Sequence, residues 1–284
     1  MIRSVKPQFK LAAMDLDGTL LGPDGQISAA NSAAVRRLQR DGVQVVLASG
    51  RHYRNMRQYA EALPGVRWLV SCQGGEAADI SRSTILGRSF LPAAKARPVL
   101  KLARSFGFST AAYAVEEVLT DSDWNARLEF YTNLAGRQPR QLPSLEAWEQ
   151  PIFKIIWMGE PAEIEAASKQ IGRLDLGVQV VRTHARLLEF MPVGVSKATA
   201  LKLIASRLGV QPSEAVVFGD GDNDVPMFEW AGVSVAMPHG WPGALRKATH
   251  LAPAGPPETA LARGVELVLA GRPPVAAAAV LEMN

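Results

Sequence analysis

The sequence predicts an α/β protein built on a doubly wound parallel sheet, with an α+β unit inserted into it. Three observations lead there. Apolar runs of four to six residues recur, each stopping at a polar or glycine-rich turn. Stretches of helical periodicity separate these runs, which is the alternation of a parallel sheet with crossover helices. About 100 residues in the middle of the chain break that rhythm.

The elements follow in order. Leu11-Ala12-Ala13-Met14 is too short for an amphipathic helix and suits a buried parallel strand. Asp24-Gly25 marks a turn, and Ser28 can cap a helix through Ala34, Val35 and Leu38 that Gly42 closes. Val43 to Ala48 is the next strand and Trp68 to Ser71 the third. Ala215 to Phe218 and Val233 to Met237 are two more, each leading into a turn. The middle segment mixes helical stretches (Ala93 to Phe106, Glu160 to Leu174) with a strand-like run, Phe153 to Met158. The expected organisation is a core in two parts, 1–82 and 187–273, an inserted α+β domain at 83–186, and a loose tail at 274–284.

Composition narrows the class. Of 284 residues, 48% are hydrophobic and 20% charged, as in a globular chain and unlike a disordered one. The net charge of +4 is spread along the chain and picks out no nucleic-acid or membrane partner. No apolar run approaches the ~20 residues of a membrane helix. The single cysteine, Cys72, excludes an internal disulfide, and Met1 to Pro7 lacks the apolar stretch of a secretion signal. A cytoplasmic protein is expected. Oligomeric state is not legible.

Four short segments carry chemistry. Asp15-Leu16-Asp17-Gly18-Thr19 falls where open α/β sheets bind ligands, at the carboxyl end of the first strand. Two carboxylates flanking one residue can converge on one reacting centre, and Gly18 permits the bend. One carboxylate can attack phosphorus while the other protonates the leaving oxygen. Ser49-Gly50 offers a hydroxyl and an N–H to a phosphoryl oxygen, though alone such a pair is more often an ordinary turn. Lys197 stands at a helix start, where its charge opposes the helix dipole and calls for an anion nearby. Gly219-Asp220-Gly221-Asp222-Asn223-Asp224 packs three aspartates into six residues, a repulsion that a divalent cation would relieve. A few hard oxygen ligands suit Mg²⁺, and the spacing is not that of a calcium-binding EF-hand.

These segments, in this order, resemble the motifs of the haloacid dehalogenase-like (HAD) phosphohydrolases, and in particular the Cof-type branch with a large cap between the second and third motifs. The resemblance covers about Phe9 to Leu269 and implies a Rossmann-like core under an inserted cap. It implies an Mg²⁺-dependent phosphatase of small phosphorylated metabolites, such as a sugar phosphate or phosphorylated cofactor. Asp15 would be nucleophile, Asp17 acid and base, and Lys197 the cation that pairs with the nucleophile and phosphoryl group. Ser49, Gly50, Lys197 and Asn223 would hold the phosphoryl group. Asp15, the backbone carbonyl of Asp17, Asp220 and Asp224 would hold or anchor the metal, with Asp222 facing solvent. A phosphotransferase or mutase using the same aspartyl-phosphate is the alternative. A phospho-accepting signalling module fits less well, because it needs no leaving-group acid.

Several residues stay open. Arg51 either touches substrate or braces its loop, and His52 reads as a surface residue. Gln73 stands where the family tends to show Asn, and His239 and Trp241 occupy another departure from the pattern, read as a surface histidine and a packing tryptophan. Tyr113, Trp124, Arg127 and Tyr131 are candidates for substrate selection from the inserted segment.

Overall fold

The computed structural model describes residues 9–271, so the expected tail at 274–284 lies outside the described residues. The first core segment runs β1 (Leu11–Met14), α1 (Ala29–Arg40), β2 (Gln44–Ala48), α2 (Tyr53–Glu61), β3 (Trp68–Ser71), β4 (Glu76–Asp79) and β5 (Ile85–Arg88). The chain then crosses into α3 (Ala93–Ser105), β6 (Ser109–Ala114), β7 (Val118–Thr120), α4 (Ala126–Ala135) and β8 (Arg140–Gln141). It continues through β9 (Ile152–Met158), α5 (Pro161–Ile171), β10 (Gln179–His184) and β11 (Leu187–Met191). It returns with α6 (Lys197–Leu208), β12 (Ala215–Gly219), α7 (Val225–Trp230), β13 (Val233–Ala236), α8 (Pro242–Lys247), β14 (His250–Leu251) and α9 (Ala260–Leu269).

Two sheets result. The core sheet has the order β14-β13-β12-β1-β2-β3-β4-β5, parallel from β14 to β3 and antiparallel beyond. Its central strands are buried on both faces, which is why β1 and β12 read as unbroken apolar runs. Val35 and Leu38 of α1, Met56 of α2 and Val265 of α9 pack on one face. Leu201 and Ile204 of α6, Met227 of α7 and Ala244 of α8 pack on the other. The Ser28 hydroxyl caps α1 by accepting from Asn31 N at 3.1 Å. The strand order reverses between β1 and β12, so the loops after these two strands open the crevice where such sheets bind ligands.

The second sheet, β10-β11-β9-β6-β7-β8, is antiparallel apart from β7 with β8, and it has its own core around Trp157 and Phe190. The expected boundaries at 83 and 186 both shift. β5 pairs with β4 and so belongs to the core, while β11 pairs with β9 and β10 and so belongs to the insertion. Neither strand differs in composition from its neighbours in sequence, and only its pairing partner assigns it.

His52 corrects a second expectation, since it is 1% exposed rather than at the surface. It caps α2 through Nδ1, 3.4 Å from Arg54 N, and its Nε2 lies 3.1 Å from the carbonyl of Ala114 in the inserted unit. Nearby, Glu116 of the insertion accepts hydrogen bonds from Tyr53, Arg54 and Arg82 of the core. Burial lowers the His52 pKa from 6.5 to about 4, with the charges of Arg82 and Arg54 acting in the same direction. The folded chain therefore takes up fewer protons than the unfolded one below pH 6.5, and stability present above that pH is lost as pH falls towards 4. His52→Asn replaces the capping Nδ1 with an amide oxygen and removes the titration. Its thermal melting temperature is expected to fall less than that of the wild-type chain between pH 6.5 and 4, a difference worth roughly 3 kcal/mol at full shift. Parallel pH profiles would reject this role for His52.

Candidate active site

The site grows from the carboxyl ends of β1 and β12. Asp15 continues β1, with its amide bonded to Phe218 O at 3.0 Å, and its side chain is 5% exposed. Gly18 has φ of +79°, and a Cβ there would lie 2.5 Å from Asp220 Oδ2, so the turn excludes any larger residue. Thr19 donates to Asp220 Oδ1 at 3.3 Å, tying the two loops together.

Lys197 opens α6 under a cap from Ser196 and is 1% exposed. Its Nζ donates to Asp15 Oδ1 at 2.5 Å and to Asp224 Oδ1 at 2.7 Å. Burial works against the ammonium, but the charges of Asp15 and Asp224 outweigh it and raise its pKa above the ordinary lysine range. Asp224 Oδ2 accepts from the amides of Asp220 and Gly221, both at 3.0 Å, which fixes the shape of the loop. Asp222 faces solvent.

A metal fits this donor set. Asp15, Asp220 and Asp224 each bring a carboxylate oxygen within 4.8 Å of the others. Three carboxylates against the one ammonium of Lys197 leave two negative charges in excess. Burial raises the Asp15 pKa well above the carboxylate range, with Asp224, Asp220 and Asp17 adding to the effect and Lys197 opposing it. Burial and then Asp224 push Asp220 up to about 7. A hard divalent cation satisfies such a cluster, and all-oxygen donors suit Mg²⁺.

Asp17 is gripped from the second strand. Arg51 donates from Nε to Asp17 Oδ2 at 2.9 Å and from Nη2 to Oδ1 at 2.7 Å. Its Nη1 reaches the carbonyl of Ala135, the last residue of α4, at 3.3 Å. Burial disfavours the guanidinium charge, yet the hydrogen bonds and charge of Asp17 hold its pKa above the usual value. Arg51 thus braces its loop across both units, and it also lines the cavity between the two sheets.

Ser49 and Gly50 follow β2 onto the same cavity, with Ser49 Oγ accepting from Arg51 N at 3.1 Å. Gln73 closes the other side. Its Oε1 accepts from Asn223 Nδ2 at 3.1 Å, and its amide group lies so close over Gly50 that a Cβ there would collide with it. Cys72 and Gln73 hold left-handed backbone, φ 54° and 61°, a conformation that side chains other than Asn and Asp seldom adopt. Such strain persists where surrounding structure enforces it, commonly at functional sites.

These groups enclose a cavity of about 130 Å³ between the two sheets, lined by Asp15, Asp17, Ser49, Gly50, Asn223 and Asp220 from the core. Tyr113 and Tyr131 line it from the insertion, and Trp241, just before α8, lines it from the core. Trp124 and Arg127 do not. Trp124 is exposed, and Arg127 pairs with Glu163 and the Gly107 carbonyl. His239 is exposed as expected, although its Nε2 lies 2.7 Å from Gly18 O. Sequence reading passed over Lys154, Glu189, Thr183 and His184, which also line the cavity. A charged residue inside the apolar run Ile152–Met158 was the available signal for Lys154.

Residues 12–255 match the haloacid dehalogenase-like hydrolase family. An HMP-PP phosphatase of Cronobacter sakazakii is 29% identical over 244 residues, covering 85% of this chain and 89% of that protein. The 5-amino-6-(5-phospho-D-ribitylamino)uracil phosphatase of Bacillus subtilis is 28% identical over 229 residues, 81% of this chain and 84% of its own. A haloacid dehalogenase-like hydrolase of Bacteroides thetaiotaomicron superposes with a TM-score of 0.79 at 26% identity, covering 92% of this chain and 99% of that one.

The excess charge yields a test that needs no substrate. Mg²⁺ at about 100 times its dissociation constant is expected to stabilise the fold by about 2.7 kcal/mol, a rise of a few degrees in melting temperature. Asp220→Asn should lose that rise. A melting curve indifferent to Mg²⁺ would reject the metal site.

Proposed function

The chain belongs to the haloacid dehalogenase-like hydrolases, and on that footing we propose that it is an Mg²⁺-dependent phosphatase of small phosphorylated metabolites working through an aspartyl-phosphate. The observation that carries this reading is the opening of Asp15 and Asp17 onto one cavity, with the Lys197 ammonium bonded to Asp15 from behind. Asp17 stands two residues further along the same loop than Asp15. Relatives named as phosphatases of small metabolites support the substrate class.

Asp15 and Asp220 would hold the cation, with Asp224 anchoring their loop, and bound Mg²⁺ would offset charge between Asp15 and the phosphoryl oxygens. The side chains then account for the steps. A carboxylate oxygen of Asp15 attacks phosphorus in line with the departing oxygen, and the phosphorus–oxygen bond to the alcohol breaks. Asp17, protonated when one of its oxygens is released from Arg51, passes that proton to the departing oxygen, so a neutral alcohol leaves. Asp17, now a carboxylate, takes a proton from water as the water oxygen attacks the aspartyl-phosphate. Inorganic phosphate departs and Asp15 is restored. Lys197 holds Asp15 in place and, with Ser49, Gly50 and Asn223, faces the charge that develops on the transferring group. The insertion acts as a cap over the crevice and keeps bulk water from the charged centre.

Asp15→Asn is expected to abolish both turnover and labelling of the protein by a ³²P-phosphomonoester. Asp17→Asn should slow hydrolysis of alkyl phosphates by at least tenfold more than hydrolysis of p-nitrophenyl phosphate, whose leaving group needs little protonation. Release of inorganic phosphate, rather than transfer to an added alcohol, separates a phosphatase from a phosphotransferase. Substantial turnover by Asp15→Asn would overturn the nucleophile assignment.

Exhaustive chelation is expected to remove activity and Mg²⁺ to restore it. Ca²⁺, with its looser coordination, should restore little. Phosphate release that survives chelation would show that the acidic cluster serves something else.

A further inference from the structure

The inserted sheet places an ion pair where stability gives no reason for one. Lys154 on β9 and Glu189 on the neighbouring β11 are joined by a 2.6 Å bond and are 1% and 3% exposed. Apolar side chains of similar volume would serve the fold as well or better, since desolvation cancels most of the attraction in a buried pair. Both residues line the cavity over Asp15. Thr183 donates to Glu189 Oε1 at 2.8 Å, and the Lys154 ammonium lies 4.4 Å from the centre of the Tyr113 ring. Tyr131 donates to the Tyr113 hydroxyl at 2.7 Å, which leaves the Tyr113 proton for another acceptor. The wall opposite the nucleophile therefore offers donors and acceptors side by side, with no net charge.

Charge pairing extends to the rest of the cavity. Arg51 is committed to Asp17, and Lys197, behind Asp15 and outside the cavity lining, is committed to Asp15 and Asp224. Among the described residues that line the cavity, no arginine or lysine stands without a carboxylate. A substrate with a carboxylate or second phosphate far from the reacting phosphoryl group would bury that anion beside Glu189 without a free cation to meet it. Hydroxyls can accept from Lys154 and donate to Glu189 without disturbing the pair.

We propose that Lys154 and Glu189, with Thr183 and Tyr113, form the leaving-group subsite and select neutral, hydroxyl-bearing alcohols against those carrying a second anion. The subsite rests on the phosphatase reading for its purpose, but its test is a binding measurement that requires no turnover. Sorbitol 6-phosphate and 6-phosphogluconate differ only in a terminal hydroxymethyl group against a carboxylate. Titration calorimetry of the Asp15→Asn chain with Mg²⁺ is expected to give at least tenfold tighter binding of sorbitol 6-phosphate. Adding Glu189→Gln leaves the Lys154 cation unpaired and should move the ratio at least tenfold towards 6-phosphogluconate. That variant leaves a buried charge alone and can fail to fold, so a second pairs Lys154→Met with Glu189→Leu, keeping volume while removing both charges. It should bind sorbitol 6-phosphate at least tenfold more weakly, with melting curves confirming that it is folded. Equal binding of the two esters, an unmoved ratio in folded Glu189→Gln, or full affinity in the double variant would overturn the subsite. A chain that binds the esters with these ratios but hydrolyses no phosphomonoester would instead overturn the phosphatase reading.

Discussion

One ammonium group facing too many carboxylates organises this molecule. Lys197 reaches from the first turn of α6 across the sheet edge to Asp15 on one side and Asp224 on the other. Its burial is tolerable only because both partners are charged, and theirs only because it is there. The rest of the site is arranged around the charge it leaves uncancelled. Asp224 bends the β12 loop by accepting its amides, Thr19 ties that loop to the β1 loop, and Gly18 clears the space between them. The cluster is poised for a further cation, and a phosphoryl group is the natural anion to share it.

The contacts between the two units bear on the same centre. Arg51 holds both oxygens of Asp17 while touching the end of α4, and Asn55 donates to the same Ala135 carbonyl at 2.9 Å. The carbonyl end of a helix carries partial negative charge, which suits a guanidinium. The orientation of Asp17 thus depends on whether α4 is in place. The exposed pairs around Glu116 each contribute little by themselves. The buried bonds of Asn55 and His52 give the interface its specificity, because neither group can be left dry and unpartnered without cost.

Much of the core was legible because local chemistry there is decisive. Leu11 to Met14 and Ala215 to Phe218 read as buried strands, and the acidic turns after them as loops at the sheet's carboxyl edge. Lys197 was legible from a helix-dipole conflict that required an anion. What escaped depends on partners remote in sequence. Nothing around Leu187 to Met191 distinguishes a strand of one sheet from a strand of the other. His52 resembles any helix-capping residue until Ala114 is set against it. Gln73 lacks the Asn that tolerates left-handed backbone, so its place over Gly50 became visible only in three dimensions. Lys154 was hidden by its own surroundings, one charge in a run of strand-forming residues.

The crossings between the units lie side by side. Ser89, leaving β5, bonds to Gly75 O at 2.8 Å, and Gly74 lies against Ser196 just before α6. This proximity has a consequence for how the chain reaches its native state. The central pairing of β1 with β12 joins Leu11 to Ala215, across about 200 residues, and closing so long a loop carries an entropic cost. Once the insertion has folded, its ends are already adjacent and most of that loop is removed. Its antiparallel strands are connected over shorter distances, so it is suited to form first. The segment that lies over the crevice in the finished protein is thereby placed to act during folding as a clasp, bringing α6 and its lysine back towards the strand that carries Asp15.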